Sequence, residues 1–176
     1  MVGEAAREEP WTADDAVTML FAAHYRGLVR LGVLLLHDEA LAEDVVQDAY
    51  VALHRHWWRL RDADKALAYL RTSVVNGARS ALRKRGVADR YVARSSADEQ
   101  TVASAETGAL SLLRHREILE AVRRLPARQR EAIVLRYYAE LSEAEIADAM
   151  GVSRGAVKSH AARGMAALRE ILEHAP

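Results

Sequence analysis

The sequence predicts an all-α protein of two small helical domains joined by a flexible linker. Alanine, leucine, valine and arginine dominate the 176 residues, aromatics make up only 6% and there are three prolines, a balance that favours helix over sheet. Apolar residues recur at helical spacing in two separate blocks. Between the blocks the period collapses into small and polar residues, VADRYVARSSADEQTVASAETGALS. The division that follows is a first domain at residues 13–86, a linker at 87–111 and a second domain at 112–173.

Each element has its own signal. Thr12-Ala13-Asp14-Asp15 matches a capping box and opens a first helix with Leu20, Phe21, Tyr25, Leu28, Leu31 and Leu35 on its apolar face. His37-Asp38-Glu39 breaks it. A second helix begins near Leu41 and buries Leu41, Val45, Val46, Ala49, Tyr50, Leu53 and Trp57. Of the adjacent tryptophans, Trp57 falls on the core side, while Trp58 is left open. Arg61 to Asp64 reads as a loop, and Ala66 to Lys84 as a third helix with Leu67, Leu70, Val74 and Leu82 inward, ending at Gly86. In the second domain Leu125-Pro126 punctuates the pattern, with proline at the first position of a helix through Ile133, Val134 and Tyr137. Ser142 to Glu145 forms another capping box, Gly151 makes a turn and Ser153 caps the last helix.

Composition also excludes several classes of function. With no cysteine there are no disulfides and no thiolate metal or nucleophile sites. The seven histidines are scattered, His54 and His56 lie on divergent faces of one helix, and there is no glycine-rich phosphate loop. The expectation is a protein that is not an enzyme, with no catalytic residues, metal or cofactor. The start, MVGEAAREEPWT, is acidic and polar, unlike a signal peptide. The apolar run Leu31 to Leu36 is far too short to span a bilayer. A cytoplasmic protein without membrane insertion is expected.

The net charge of zero conceals a segregation. Residues 1–60 hold ten acids and five bases, whereas residues 61–94 hold nine bases and three acids. Blocks of this kind reflect partners more often than fold. In LSEAEIADAMGVSRGAVKSHAAR, from Leu141 to Arg163, the residues Ile146, Ala147, Met150, Val152 and Val157 have the spacing that locks two short helices at a steep angle. The second helix then exposes Arg154, Lys158, Ser159, His160 and Arg163, as a helix entering the major groove would. Upstream, Glu43 with Gln47 and Asp44 with Asp48 are pairs four apart, giving a short helix one acidic and amide face. Spacing alone leaves that face open to two readings, a solvated surface or a dock for a basic partner. In the third helix Arg71, Asn76, Arg79, Arg83, Lys84 and Arg85 make a basic surface near Trp57, Trp58 and Tyr69, a combination suited to single-stranded or distorted DNA.

Two long segments carry a family resemblance. FAAHYRGLVRLGVLLLHDEALAEDVVQDAYVALHRHWWRL, followed by ALAYLRTSVVNGARSALRKR, resembles region 2 of a bacterial sigma factor. RRLPARQREAIVLRYYAELSEAEIADAMGVSRGAVKSHAARGMAALRE resembles region 4. With a short linker between them the chain is similar to the extracytoplasmic-function (ECF) group, and most similar to its actinobacterial SigE branch. The resemblance implies a region 2 helical bundle and a region 4 helix-turn-helix that together bind core RNA polymerase, through its β′ clamp helices and β subunit, and promoter DNA. It implies that Asp44, Gln47 and Asp48 dock on the clamp helices. Arg61, Lys65, Asn76, Arg79 and Arg83 would then recognise the minus-ten element, with Arg154, Lys158, Ser159, His160 and Arg163 at the minus-thirty-five element. Family members are often held inactive by an anti-sigma factor, which makes such a protein a candidate partner. Relatives often carry further basic residues where this chain has Ala162, Gly164 and Met165, and an acid near Ser80. The rival reading is a stand-alone helix-turn-helix regulator, which would need a sensing or dimerising domain.

Overall fold

Side-chain caps set most helix starts in the computed structural model, which describes residues 12–60, 62–92 and 109–174. The Thr12 hydroxyl accepts from the Asp15 N–H at 3.2 Å and starts α1, Ala13–Leu36. That helix ends at His37, whose φ of 59° lies in the left-handed region. An Asp38 carboxylate oxygen then accepts from the Leu41 N–H at 2.9 Å at the head of α2, Glu39–Leu60. Asp62 does the same for α3, Ala63–Val92, accepting from the Asp64 and Lys65 N–H groups. The second half holds α4, Ala109–Arg124, α5, Ala127–Tyr137, α6, Glu143–Met150, and α7, Arg154–Glu173. Among the described residues there is no strand.

Helices α1, α2 and α3 pack on one another around Leu31, Leu35, Val46, Leu53, Leu70 and Val74, all essentially sealed from water. Tyr50 is buried there because its hydroxyl donates to the Leu20 carbonyl at 2.9 Å. Helices α5, α6 and α7 form the second core around Leu135, Ile146, Met150 and Val157. The two cores are not separate. α3 lies against α6, α1 lies against α4 and α5, and one apolar cluster runs through both halves.

Several expectations need correction. The third helix does not stop at Gly86 but continues to Val92. One glycine costs a helix only about 1 kcal/mol, and the residues just before it, Arg83, Lys84 and Arg85, are good helix formers. The same helix starts three residues earlier than the apolar pattern suggests, because the Asp62 cap precedes the first buried position. Asp64, expected in the loop, and Lys65 beside it therefore sit in the first helical turn. Arg61 and residues 93–108, the bulk of the expected linker, lie outside the described residues. Pro126 is the residue before α5, not its first residue. Trp57 is buried and Trp58 exposed; Tyr137, at the last position of α5, is exposed although it continues the apolar series. Phe21 is also largely exposed, with its ring stacked on Tyr25 at 4.3 Å. Finally, α1 is long and apolar enough by length and composition to cross a membrane, which a reading limited to its last six residues overlooks. In the fold its stripe of Ala16, Leu20, Leu28, Leu31 and Leu35 is buried in the bundle.

Candidate nucleic-acid interface

Helix α7 owes its position to α6. The Ser142 hydroxyl accepts from the Glu145 N–H, while Glu145 accepts from the Ser142 N–H at 2.8 Å, a complete capping box. The Ser142 hydroxyl also donates to the Glu145 carboxylate at 2.6 Å, and that bond first, then the Ser142 N–H, holds the Glu145 carboxyl below the usual range. Gly151 closes α6 at a φ of 63°, where a side chain would be strained, and the Ser153 hydroxyl caps α7 through the Ala156 N–H. Ile146, Ala147, Met150 and Val157 are buried between the two helices, as their spacing predicts.

The outer face of α7 then carries Arg154, Lys158, Ser159 and Arg163, all exposed, with His160 partly so. Lys158 reaches Glu143 on α6 at 3.6 Å yet keeps 68% of its side chain in solvent, so that pair constrains it weakly. The Arg163 Nε donates to the Ser159 carbonyl one turn back at 3.3 Å. Three cations and a hydroxyl, spread along the solvent side of α7 from Arg154 to Arg163, are thus ready for phosphates and base edges. The later positions tell a different story. A Cβ on Gly164 would come within 2.8 Å of Ile133 Cγ1 and 3.2 Å of the Gln129 carbonyl oxygen. Gly164 faces the core; its lack of a charge is a packing requirement and not a gap in a basic face.

On the first bundle, Asp44, Gln47 and Asp48 are exposed on α2, with Glu43 partly covered. Asp44 and Asp48 share a groove with Asn76, Ser80 and Lys84 of α3, its floor formed by Val45, Ala49 and Gly77. Asp44 and Asp48 of the acidic face and Asn76, Lys84 and Arg85 of the basic one, read separately from the sequence, therefore line one cleft. Beside the α2–α3 turn, Trp58 stands exposed with the Arg59 guanidinium 4.7 Å from its ring centre.

The basic surface of α3 is less uniform than the sequence suggests. Asn76, Arg83 and Lys84 are exposed, and Arg83 donates to the Ser80 hydroxyl at 3.1 Å. Arg85 pairs with Asp38 at the α1–α2 corner. Arg79 turns into the second half of the molecule: its Nε and Nη2 donate to the two carboxylate oxygens of Glu131 on α5, both at 2.9 Å. Its Nη1 donates to Asn76 Oδ1 at 3.2 Å. The pair is largely dry, with side chains only 17% and 7% exposed. Arg128 adds a third contact to Glu131 at 3.1 Å.

Glu131 is the functional candidate that sequence reading missed. The signal was the uninterrupted run Ala132-Ile133-Val134-Leu135, since a helix apolar on every side is buried on every side, and its charged neighbours with it. Arg130 is buried for the same reason, donating to the Arg123 and Leu125 carbonyls that end α4. His37 is half-buried opposite Arg130 and Arg123; burial first, then those two cations, push its imidazole down to about 4. His54 pairs with Asp14 at 2.8 Å and His56 bonds the Ala52 carbonyl. Among the described residues no group of three metal-ligating side chains comes together.

An acidic-faced helical bundle coupled to an exposed basic recognition helix defines a DNA-binding protein that also carries a docking module for another protein. The family comparisons give that class a specific identity. Sigma-70 region 2 matches residues 20–88 and sigma-70 region 4 matches residues 115–168. The sigma factor CarQ of Myxococcus xanthus is 33% identical over 160 residues, 91% of either chain. The ECF sigma factor SigL of Mycobacterium tuberculosis is 33% identical over 175 residues, 96% of either chain, and the sigma-E factor of Streptomyces coelicolor is 30% identical over 148 residues, 82% of this chain and 79% of its own. Among solved structures, the sigma factor RpoE in complex with the anti-sigma factor NepR, from Bartonella quintana, superimposes with a TM-score of 0.76 at 25% identity, over 90% of this chain and 98% of that one. CnrH, in complex with the cytosolic domain of CnrY, shares the fold with a TM-score of 0.63 at 24% identity, over 93% and 96% of the two chains. The chain belongs to the sigma-70 family of RNA polymerase sigma factors, in the ECF group. It is a promoter-recognising initiation factor that binds core RNA polymerase. A stand-alone regulator is not favoured, because residues 20–88 match sigma-70 region 2 and the relatives are sigma factors over both modules.

Proposed function

We propose the following division of labour for this sigma factor. Residues 13–86 act as the region 2 module, 87–111 as the linker and 112–173 as the region 4 module. Asp44, Gln47 and Asp48 contact the β′ clamp helices; Arg61, Lys65, Asn76, Arg79 and Arg83 recognise the minus-ten element; Arg154, Lys158, Ser159, His160 and Arg163 read the minus-thirty-five element. The observation that carries this reading is the exposure of two opposite surfaces, the acidic face of α2 and the cationic face of α7, on modules that match regions 2 and 4. The protein performs no chemistry of its own and works in the cytoplasm, where the polymerase is. An anti-sigma factor is a fitting regulator, since the RpoE and CnrH structures were each solved with a partner bound.

Alone, each module is a weak DNA binder; polymerase fixes their spacing and lets both engage together, which multiplies affinity without new contacts. Run-off transcription with core polymerase and a genomic promoter library tests the whole scheme. Discrete start sites that need the protein support it. Asp44→Arg with Asp48→Arg should abolish capture of core polymerase, and normal capture by that double variant would remove the α2 face from the interface.

A further inference from the structure

We propose that Glu131 is an internal stand-in for a DNA phosphate, latching the region 2 module shut against region 4 until polymerase separates them. The inference rests on the assignment of Arg79 to the minus-ten element. A guanidinium presents the same planar fork to a carboxylate as to a phosphate, and the geometry at Glu131 is fully bidentate. With Nη1 committed to Asn76 Oδ1, two of the five residues assigned to the minus-ten element are tied into one network. The network is shielded: Glu131 is buried at the junction of the modules and has Arg128 as a second partner. Arg71 on α3 adds a weaker attraction to the Glu145 carboxylate of α6. Tyr138, at the end of α5, donates to the Gly27 carbonyl of α1 at 3.3 Å.

What the closed form covers is selective. Asp44, Gln47 and Asp48 stay exposed, as do Arg154, Lys158, Ser159 and Arg163. The polymerase dock is therefore open while the minus-ten arginine is occupied, which makes polymerase binding come first and DNA binding second. Dimensions agree. Two elements about 25 base pairs apart are separated by roughly 85 Å at about 3.4 Å per step. A compact chain of this length has a radius of gyration of about 16 Å, so with its modules in contact it cannot reach both elements at once. Opening is required for function, and the bidentate Arg79–Glu131 pair is the ion pair that opening must break, together with the Tyr138–Gly27 bond.

The chain has no cysteine, so two can be introduced without interference, at the exposed positions Arg55 of α2 and Ala166 of α7, and spin-labelled for distance measurement. We expect a single short distance in the free protein, a longer one on adding core polymerase, and a longer one without polymerase in Glu131→Gln. Binding of a fluorescent pool of random-sequence single-stranded 20-mers to the free protein should rise about tenfold in Glu131→Gln, as expected when a competent minor state becomes dominant. Circular dichroism checks that the helices survive. The swapped pair Arg79→Glu with Glu131→Arg provides an independent variant, expected to restore the short distance but not the DNA binding. A free wild-type protein already at the long distance overturns the latch and leaves the Arg79 assignment standing. Opening of Glu131→Gln with no gain in DNA affinity overturns the proposal from the other side, by removing Arg79 from the DNA face.

Discussion

Helices α3 and α7 both carry cations assigned to promoter DNA, and the fold treats them in opposite ways. On α7, Lys158 keeps most of its side chain in water, and its acidic neighbour Glu143 lies 3.6 Å away. On α3, Arg79 is mostly shielded and held at 2.9 Å by both oxygens of a buried carboxylate. Two basic helices with the same outline in sequence thus differ in what it takes to use them. An exposed ammonium exchanges water for phosphate at little cost, whereas the shielded guanidinium must first leave a buried carboxylate that would keep only Arg128 as partner. Availability for DNA is set by the partner a cation already has, not by the number of cations.

The widest separation between the two helices should appear in stability. Arg79→Ala removes the main partner of Glu131, and its cost should approach the roughly 3–5 kcal/mol of a broken buried pair, lessened because Arg128 remains. Lys158→Ala should change stability by no more than about 0.5 kcal/mol. Urea denaturation of the two variants makes the comparison; equal losses would mean that the Arg79–Glu131 pair is no stronger than a surface contact. Within α7 a second contrast can be drawn by sign. If Gly164 faced DNA, Gly164→Ala would stabilise the helix by about 1 kcal/mol. Because the new methyl would press on Ile133 and Gln129, the expected result is a loss of about 1–3 kcal/mol.

That contrast also shows what the sequence could and could not disclose. Local signals were legible: the cap at Thr12, the capping box at Ser142, the turn at Gly151 and the buried Ile146, Ala147, Met150 and Val157 depend on residues a few positions apart. So was the exposure of Asp44, Gln47 and Asp48, since period alone places them opposite Val45 and Val46. The fate of Arg79 was not legible, because Glu131 is 52 positions away and no periodicity relates the two. Gly164 looked like a missing charge for the same reason: its neighbour Ile133 comes from another helix. The end of α3 failed differently, as Gly86 is a stop signal only where nothing favours continuation. Short-range patterning builds the helices; pairings between modules decide which of their faces are free.

The junction between modules should also respond to acid. His37 has its imidazole pushed down to about 4 by burial and by Arg130 and Arg123, against about 6.5 in the unfolded chain, with Asp38 as its acidic neighbour. The unfolded chain therefore takes up a proton that the folded one refuses. The stabilising effect is complete above about pH 6.5 and is lost as the pH falls towards 4. Because the ring is only partly buried, the loss should be on the order of 1–2 kcal/mol. His37→Asn tolerates the left-handed backbone and cannot titrate, so its stability should stay flatter across that window. An unchanged pH profile in His37→Asn would place the acid sensitivity elsewhere.

The smallest contrast lies between the caps of α6 and α7. Ser142 takes part in reciprocal bonds with Glu145, whereas Ser153 receives only the Ala156 N–H. Removing either hydroxyl frees one backbone donor at a cost of about 1 kcal/mol. Ser142→Ala should cost a few tenths more, since it also takes away the hydroxyl bond that Glu145 accepts at 2.6 Å. The two variants should differ more in function than in stability. The Ser142 box fixes the start of α6, against which α7 is set, so its loss should blur the orientation of Arg154 and Lys158 together. The Ser153 cap shapes only the first turn of α7, where Arg154 alone is affected. Promoter binding by holoenzyme across a salt series separates the cases: a shallower salt slope for Ser142→Ala than for Ser153→Ala is expected, and equal slopes would mean that α7 keeps its register without the box.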